Sequence, residues 1–196
     1  MPKPAPVDPA VLDTLAFAGM DEATFRQRAV ASRDGVGLFE HDLSFIRYRV
    51  AGRDAGKPTL AILPDSPAVI ESYDGFIAAV GDRFNVALLE LPGFGFSYPK
   101  SPEALGFEAS CRILADALRA LDLPRVILVG PCIQGLFAAR MAEIMGDALA
   151  GVIIGQTGDF AEAGKWVFKV LGGEALAQPF KRQVEFRVNR QAVSID

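Results

Sequence analysis

The chain has 196 residues, of which 51% are hydrophobic and 22% charged, and its net charge at neutral pH is −4. This composition is typical of one soluble globular domain, and the acidic balance argues against a nucleic-acid partner. No apolar run approaches the roughly 18 residues that a membrane helix needs, and the Pro-rich start lacks the apolar segment of a signal peptide. Because the chain also has only two cysteines, we expect a cytoplasmic protein with free thiols and no membrane partner.

The first predicted elements are a helix and a β-hairpin. Residues 10–31 have a helical pattern, and Asp21 is placed to cap the helical segment that follows it. Two strands are then predicted at 38–41 and 43–50. In the second segment, Phe45, Arg47 and Arg49 alternate with the residues between them, as the two faces of a strand do. His41 lies in the tight connection between the two strands.

From Thr59 onward, short apolar strands alternate with amphipathic helices. The strands are predicted at 60–63, 86–91, 125–130 and 151–155, and the helices at 71–84, 106–123 and 136–145. Continuous apolar strands separated by helices indicate a parallel sheet that is covered on both faces. The predicted fold is therefore α/β, with a mostly parallel, doubly wound sheet and an N-terminal β-hairpin.

The last part of the chain, residues 160–196, is less regular. Residues 161–171 predict a helix that ends at a pair of glycines. Residues 180–195 allow two interpretations, because their apolar residues recur every four positions, as in a helix, and Val184, Phe186 and Val188 also alternate with polar residues, as in a strand. We favour the helix.

Three turns that follow predicted strands have the order and spacing of a known family. They are "LAILPDSP" (60–67), "LLELPGFGFS" (88–97) and "VILVGPCIQG" (126–135). Together they resemble the α/β-hydrolase superfamily, especially the epoxide-hydrolase and dehalogenase-like branch with a helical cap. The middle turn is the most specific, because Glu90 to Ser97 matches the family's acidic-x-Pro-Gly-x-Gly-x-Ser pattern almost position for position.

The resemblance implies a nucleophile elbow with Cys132 at its apex, where most members of the family carry Ser. One oxyanion donor would be the backbone N–H of Ile133, the next residue. The other would be the N–H of Ser66, in the loop after the first parallel strand. The positive end of the helix that follows Cys132 would favour a thiolate.

Several residues depart from the family pattern around this elbow. Pro64 and Asp65 replace a His-Gly pair, and an Asp carboxylate that points inward would repel the developing oxyanion. Gln134 stands where the elbow needs a small residue, whereas Gly130, on the other side of Cys132, fits. We expect the pocket to be lined by Pro64, Asp65 and Gln134, and by Trp166 of the predicted cap helix unless that side chain serves only in packing.

The general base of the family is not found at its usual place. The family has a triad Asp and His on or after its last strands, and the C-terminal part of this chain is expected to be incomplete. The one histidine, His41, lies about three strands from the elbow, on the order of 14 Å at about 4.8 Å per strand, whereas a base acts within about 3 Å. Asp159 follows the last parallel strand, where some members of the family place the triad acid, and it is either that acid or an ordinary loop residue.

These observations divide the chain into three parts and leave two functions open. The parts are an N-terminal tail with helices (1–34), the hydrolase core (35–160) and the start of a cap or a C-terminal tail (161–196). In the first function, Cys132 forms an acyl-enzyme with a small ester, thioester or lactone, and the base comes from outside the chain. In the second, the chain is a non-catalytic half-hydrolase that acts as a binding or partner subunit.

Partners and cofactors follow from the remaining sequence features. The uncharged, apolar strand at 151–155 would be an edge of the sheet, so we expect a homodimer or a second chain that completes the fold. The substrate would be a small molecule. Because the sequence has neither a Cys/His cluster nor a phosphate-binding Gly loop, we expect no metal and no cofactor. Cys111 lies on the apolar face of its predicted helix and is expected in the core.

Overall fold

A computed structural model describes residues 21–65 and 68–157. The strands are β1 (Val36–Glu40), β2 (Ser44–Ala51), β3 (Thr59–Ile62), β4 (Asn85–Leu89), β5 (Tyr98–Pro99), β6 (Val126–Pro131) and β7 (Gly151–Gly155). The helices are α1 (Glu22–Val30), α2 (Asp74–Val80), α3 (Phe107–Ala120) and α4 (Gln134–Met145), and short 3₁₀ turns occupy Ile70–Tyr73, Pro102–Leu105 and Gly146–Ala148.

The seven strands of the described residues form one mixed sheet in the order β1-β2-β4-β3-β6-β7, with β5 paired to β2. The hairpin of β1 and β2 is antiparallel, and β2 joins β4 in antiparallel register. The pairs β3–β4, β3–β6 and β6–β7 are all parallel. The prediction of a mostly parallel sheet with an N-terminal hairpin is therefore confirmed.

Apolar clusters cover both faces of this sheet. Strand β3 shows the reason, because its alternate residues point to opposite faces. Ala61 packs in the larger cluster with helix α3, whereas Leu60 and Ile62 pack in a second cluster with the turn at Ile70–Tyr73. This arrangement is the doubly wound core that continuous apolar strands predict.

Helix α3 confirms the expected place of Cys111. The side chain of Cys111 is fully buried, together with Ile113, Leu114 and Leu118 of the same helix. Burial in this apolar setting raises the pKa of the Cys111 thiol to about 12. Cys111 is therefore a core residue and not a reactive thiol.

Some element boundaries differ from the predicted ones. Helix α1 is capped as predicted, because an Asp21 carboxylate oxygen accepts a hydrogen bond of 2.8 Å from Thr24 N–H, but residues 1–20 lie outside the described part. The helix predicted at 71–84 is a 3₁₀ turn followed by α2, which ends at Gly81. Strand β5 was not predicted, since a two-residue strand carries no periodic pattern.

The two edges of the sheet are different. Strand β1 contacts helix α1, and an ion pair of 2.8 Å between Arg26 and Glu40 joins them. On β7, the exposed fractions of Val152, Ile153 and Ile154 are 39%, 51% and 48%.

The residues 161–196 and their predicted helix or strand lie outside the described part, so the division of the chain into three parts stays a prediction. Within the described residues no helix is long and apolar enough to cross a membrane.

Candidate functional site

The predicted elbow is a sharp turn between β6 and α4. Cys132 follows the last residue of β6, and its backbone has φ +50°, in the left-handed region. This conformation costs a residue with a side chain roughly 1–2 kcal/mol. The Cys132 side chain is exposed, unlike that of Cys111. The turn therefore holds a solvent-accessible thiol on a strained backbone, as a nucleophile elbow does.

Two glycines allow the strand and the helix to approach at this turn. A Cβ added to Gly130 would lie 2.5 Å from the carbonyl oxygen of Gln134 and 2.6 Å from Cβ of Ala138. A Cβ added to Gly135 would overlap the hydroxyl of Thr157. The close approach of the strand and the helix thus needs small residues at 130 and 135. It does not need one at 134, where the chain has Gln.

Gln134 is the first residue of α4, and its side chain is buried, with an exposed fraction of 2%. Within the described residues, its amide oxygen has no hydrogen-bond partner. An unpaired buried acceptor typically costs about 1–3 kcal/mol, so native proteins rarely retain one without a reason. Gln134 is therefore a buried polar side chain at the start of α4, and its predicted place in the pocket lining stays a prediction.

Backbone and hydroxyl hydrogen bonds from the end of β7 hold Cys132 in place. Its N–H donates to the carbonyl of Gly155 at 2.7 Å. Its carbonyl accepts from the hydroxyl of Thr157 at 2.7 Å and from the N–H of Gly135 at 3.1 Å. Thr157 was not predicted from the sequence, because a single Thr after a strand has no distinctive pattern.

The N-terminus of α4 offers hydrogen-bond donors next to the thiol. The first N–H groups of a helix have no partner within the helix and carry a partial positive charge. Helix α4 has 12 residues, no acidic residue in its first turn, and no side-chain hydrogen bond at its N-cap, Ile133. The Ile133 N–H therefore belongs to a helix end whose positive charge no acidic side chain of the first turn offsets.

The loop after β3 lies beside the elbow. Strands β3 and β6 are parallel neighbours with Ile62 opposite Val129, so their carboxyl ends meet at one edge of the sheet. Pro64 is buried there, and the Asp65 N–H donates to the Tyr73 hydroxyl at 3.4 Å. Ser66 lies outside the described residues, as do Asp159 and Trp166. Their predicted roles therefore stay predictions.

The turn after β4 is built around the buried carboxylate of Glu90. That carboxylate accepts hydrogen bonds from the N–H of Phe96 at 2.8 Å, the N–H of Ile70 at 3.2 Å and the guanidinium of Arg47 at 3.1 Å. The Ser97 hydroxyl donates to the Glu90 carbonyl at 2.7 Å. Gly95 has φ +54°, and a Cβ there would overlap the carboxylate. This motif therefore stabilises the fold.

Arg47 is fully buried and shares its charge between two carboxylates, Glu90 and Glu71. Burial raises the pKa of Glu90 to about 7, even though the Arg47 charge and two backbone N–H groups act in the opposite direction. Burial also opposes ionisation of Glu71, but hydrogen bonds from Arg47 and Ser32 lower its pKa below the usual value. Glu71 is therefore the ionised partner of Arg47, and Glu90 titrates near neutral pH.

His41 lies in the β1–β2 turn, as predicted. Its Nδ1 atom accepts from the Leu43 N–H at 3.1 Å, and its Nε2 atom is 3.9 Å from a carboxylate oxygen of Asp116 on α3. A groove of about 690 Å³ contains these side chains and none of the elbow residues. Strands β4 and β3 separate the hairpin from β6, which supports the expectation that His41 is not the base.

Among the residues described, no group of three or more His, Cys, Asp or Glu could hold a metal ion.

Comparison with known proteins gives one family and a set of structural neighbours. Residues 63–171, more than half of the chain, match the family model of the alpha/beta hydrolase fold. A curated relative, an uncharacterized hydrolase of Saccharomyces cerevisiae, is 26% identical over 106 residues, which are 54% of this chain and 33% of the relative.

Solved structures share the fold at lower identity. A Pseudomonas aeruginosa protein, provisionally described as an epoxide hydrolase, has 16% identity and a TM-score of 0.58, covering 82% of this chain and 60% of its own. A variant of the haloalkane dehalogenase DatA from Agrobacterium tumefaciens has 20% identity and a TM-score of 0.52 over 64% and 43% of the two chains. A variant of the N-acyl homoserine lactonase AidH has 16% identity and a TM-score of 0.55 over 62% and 44%.

The chain spans about a third of the length of the curated relative and 60% or less of these three structures. The matched region begins at the end of β3 and includes the turn after β4 and the elbow after β6. The same region contains the parallel strands β4, β6 and β7, the helices α2, α3 and α4, and the left-handed Cys132 described above. The chain belongs to the α/β-hydrolase fold family.

Proposed function

We propose that this chain performs hydrolysis or acyl transfer on a small ester, thioester or lactone through an acyl-enzyme at Cys132. The Cys132 sulfur would attack the carbonyl carbon, and collapse of the tetrahedral intermediate would break the bond to the leaving alcohol or thiol. Water or another acceptor would then take the acyl group and free the thiol. The observation that carries this proposal is the exposed thiol at φ +50° between β6 and α4.

The surroundings of Cys132 support acyl chemistry at this atom. In the proposal, the Ile133 N–H at the start of α4 donates a hydrogen bond to the oxyanion, and the Ser66 N–H supplies the second donor. Pro64 and Asp65 are the described residues of the loop that would present Ser66. The substrate is a small molecule, and its reaction at a thiol requires no metal or cofactor.

The general base of the proposed reaction comes from outside the 196 residues. The only histidine, His41, is engaged in the hairpin turn near Asp116. A base on a second polypeptide or a neighbouring subunit would complete the site, with Asp159 as the candidate that orients it. The predicted homodimer or second chain stays a prediction, and the exposed apolar side chains of β7 are what supports it among the described residues.

An activated ester tests this proposal on the chain as it stands. A thiolate needs no proton removed before attack, whereas water must be activated to deacylate the enzyme, and general-base help is worth about 10²–10⁴ in rate. p-Nitrophenyl acetate should therefore give a burst of one equivalent of p-nitrophenol and then almost no turnover. Peptide mapping should place the acetyl group on Cys132.

Two variants serve as the matched pair for this experiment. Cys132→Ala should abolish the burst, and Cys111→Ala should retain it, because the Cys111 thiol is buried. Limited iodoacetamide should likewise label Cys132 well before Cys111 in the folded protein. Turnover that survives Cys132→Ala would contradict the assignment of the nucleophile.

A binding or partner subunit without catalytic activity is the second candidate function. The buried amide oxygen of Gln134, which has no hydrogen-bond partner among the described residues, favours it, because the family's elbow has a small residue at this position. The absence of a burst from folded protein, together with slow alkylation of Cys132, would support this second function over the first.

A further inference from the structure

We propose that Thr157 is a positioning residue of the elbow, whose hydroxyl orients the Cys132–Ile133 peptide so that the Ile133 N–H faces the reacting carbonyl oxygen. This inference rests on the proposed acyl-enzyme at Cys132 and adds a residue to it. Thr157 lies two residues after the end of β7 and does not belong to any of the three motifs by which the family resemblance was identified.

The hydrogen bonds of Thr157 single out one carbonyl. Its Oγ1 atom is 2.7 Å from the Cys132 oxygen and 3.4 Å from the Gly155 oxygen. A hydroxyl has one proton to donate, so the shorter contact is the hydrogen bond. The Gly155 carbonyl instead accepts from the Cys132 N–H, at 2.7 Å. The end of β7 therefore holds the backbone of Cys132 on both sides of its Cα atom.

The hydrogen bond from Thr157 to the Cys132 carbonyl also determines the direction of the Ile133 N–H. The Cys132 carbonyl and the Ile133 N–H belong to one peptide group, which is planar and trans, so the oxygen and the hydrogen point in opposite directions. A hydroxyl that fixes the carbonyl oxygen therefore also fixes the direction of the N–H. In a turn with φ +50°, which a residue with a side chain adopts at a cost, this bond opposes rotation of the peptide toward a relaxed conformation.

Packing around Thr157 supports the same role. Gly135, in the first turn of α4, lies so close to Thr157 that an added Cβ would overlap the hydroxyl. Gly135 also donates its N–H to the Cys132 carbonyl at 3.1 Å, so this oxygen accepts two hydrogen bonds. The sequence therefore has a glycine at a helix position where a side chain would displace the Thr157 hydroxyl.

Two reactions of the same thiol separate positioning of the oxyanion donor from general damage to the turn. With iodoacetamide, the Cys132 sulfur displaces iodide from a saturated carbon, and no oxyanion forms. With p-nitrophenyl acetate, the sulfur adds to a carbonyl, and the oxyanion forms before p-nitrophenolate leaves. Loss of an oxyanion donor costs about 10²–10³ in rate, so a donor that is displaced but still present should cost about tenfold or more.

The variants are Thr157→Val, which keeps the shape and removes the hydroxyl, and Thr157→Ser, which retains the hydroxyl. Thr157→Val should slow the acylation burst about tenfold or more and leave the alkylation rate of Cys132 within about twofold of the wild-type rate. Thr157→Ser should restore the burst rate. Thr59→Val is the matched control. It removes a similar hydrogen bond, from the Thr59 hydroxyl to the Pro124 carbonyl at 2.8 Å, at the start of β3 and therefore at the edge of the sheet away from the elbow.

The outcomes distinguish this inference from the proposed function. No burst in the wild-type protein would overturn the proposed function, and this inference with it. A normal wild-type burst that Thr157→Val leaves unchanged would overturn the role of Thr157 alone. An equal loss of acylation and alkylation in Thr157→Val would assign Thr157 to the structure of the turn and also overturn its positioning role.

Discussion

The turns after β4 and β6 both contain a residue with a positive φ, but they differ in how that residue is surrounded. Each contains a residue in the left-handed region, Gly95 in the first and Cys132 in the second. In the first turn, glycine adopts that conformation easily, and the buried Glu90 carboxylate occupies the space in which a side chain would lie. In the second turn a cysteine adopts it, at a cost in stability, and its side chain is exposed.

The difference between the two turns indicates which of them is available for chemistry. After β4, backbone N–H groups and Arg47 satisfy the polar atoms of Glu90, so the turn stabilises the sheet. After β6, the backbone of Cys132 is in the left-handed region and its thiol is exposed. Backbone strain of this kind clusters at functional sites, where the surrounding structure compensates for its cost.

The largest expected effect comes from removing Arg47, the residue of β2 whose guanidinium pairs with Glu90 at the turn after β4. Arg47→Met should destabilise the protein by about 3–5 kcal/mol at pH 8, because it leaves Glu90 buried beside no positive charge. Arg49→Met is the control, and it should cost about 1 kcal/mol or less, because the side chain of its partner Asp74 is 44% exposed and solvent screens the pair. Urea unfolding measures both, and equal losses in the two variants would contradict the structural role of the buried pair.

The second prediction concerns the glycine of the first turn. Gly95→Ala should destabilise the protein by about 3 kcal/mol, because left-handed strain adds to an overlap with the Glu90 carboxylate. Gly146 has a similar φ, +53°, with ψ −130° and open space around it, so Gly146→Ala carries backbone strain without a steric overlap and should cost less than Gly95→Ala. Equal urea midpoints for the two variants would mean that the Glu90 carboxylate moves freely away from the added Cβ.

The third prediction concerns the pH dependence of stability. The pKa of Glu90 in the folded protein is about 7, above its ordinary value of 4.5, so the folded state favours the protonated acid. The associated stability is present below pH 4.5 and is lost as the pH rises through about 7, by an amount on the order of 3 kcal/mol.

Glu90→Gln tests this pH dependence directly, because a neutral amide resembles the protonated acid. The wild-type free energy of unfolding should fall between about pH 5 and pH 8, whereas that of the variant should be nearly flat over the same range. Parallel curves for the two proteins would show that Glu90 does not titrate in this window. The pKa of the neighbouring Glu71 is lowered below its ordinary value by Arg47 and Ser32, so Glu71 does not contribute to this pH window.

The smallest expected effect is a gain in stability at the second turn. Cys132→Gly removes the left-handed strain and should stabilise the protein by about 1 kcal/mol while it abolishes acylation. Asp122, with φ +47°, offers a control, since Asp tolerates this conformation better than Cys and its replacement by Gly should gain less. A loss of stability in Cys132→Gly would mean that the thiol is part of the packing.

Much of the fold could be predicted from the sequence, because the information for it is local. The apolar runs at β3, β4 and β6, and the helical stripe that buries Cys111, depend on side-chain periodicity alone. The elbow was located through the resemblance to the α/β-hydrolase superfamily, which places Cys132 at the apex of the turn after β6. These features need no knowledge of distant contacts, and the structure confirms their places.

What the sequence by itself determined is therefore the parallel sheet, its order of elements and the position of the candidate nucleophile. Only the tertiary structure decided how the two turns differ. Arg47 and Glu90 are 43 positions apart, and Thr157 is 25 positions from Cys132, so neither contact leaves a periodic signal in the chain. Each exists because strands that are distant in sequence become neighbours in the sheet, where burial shifts the pKa of one carboxylate and a single hydroxyl holds one peptide group.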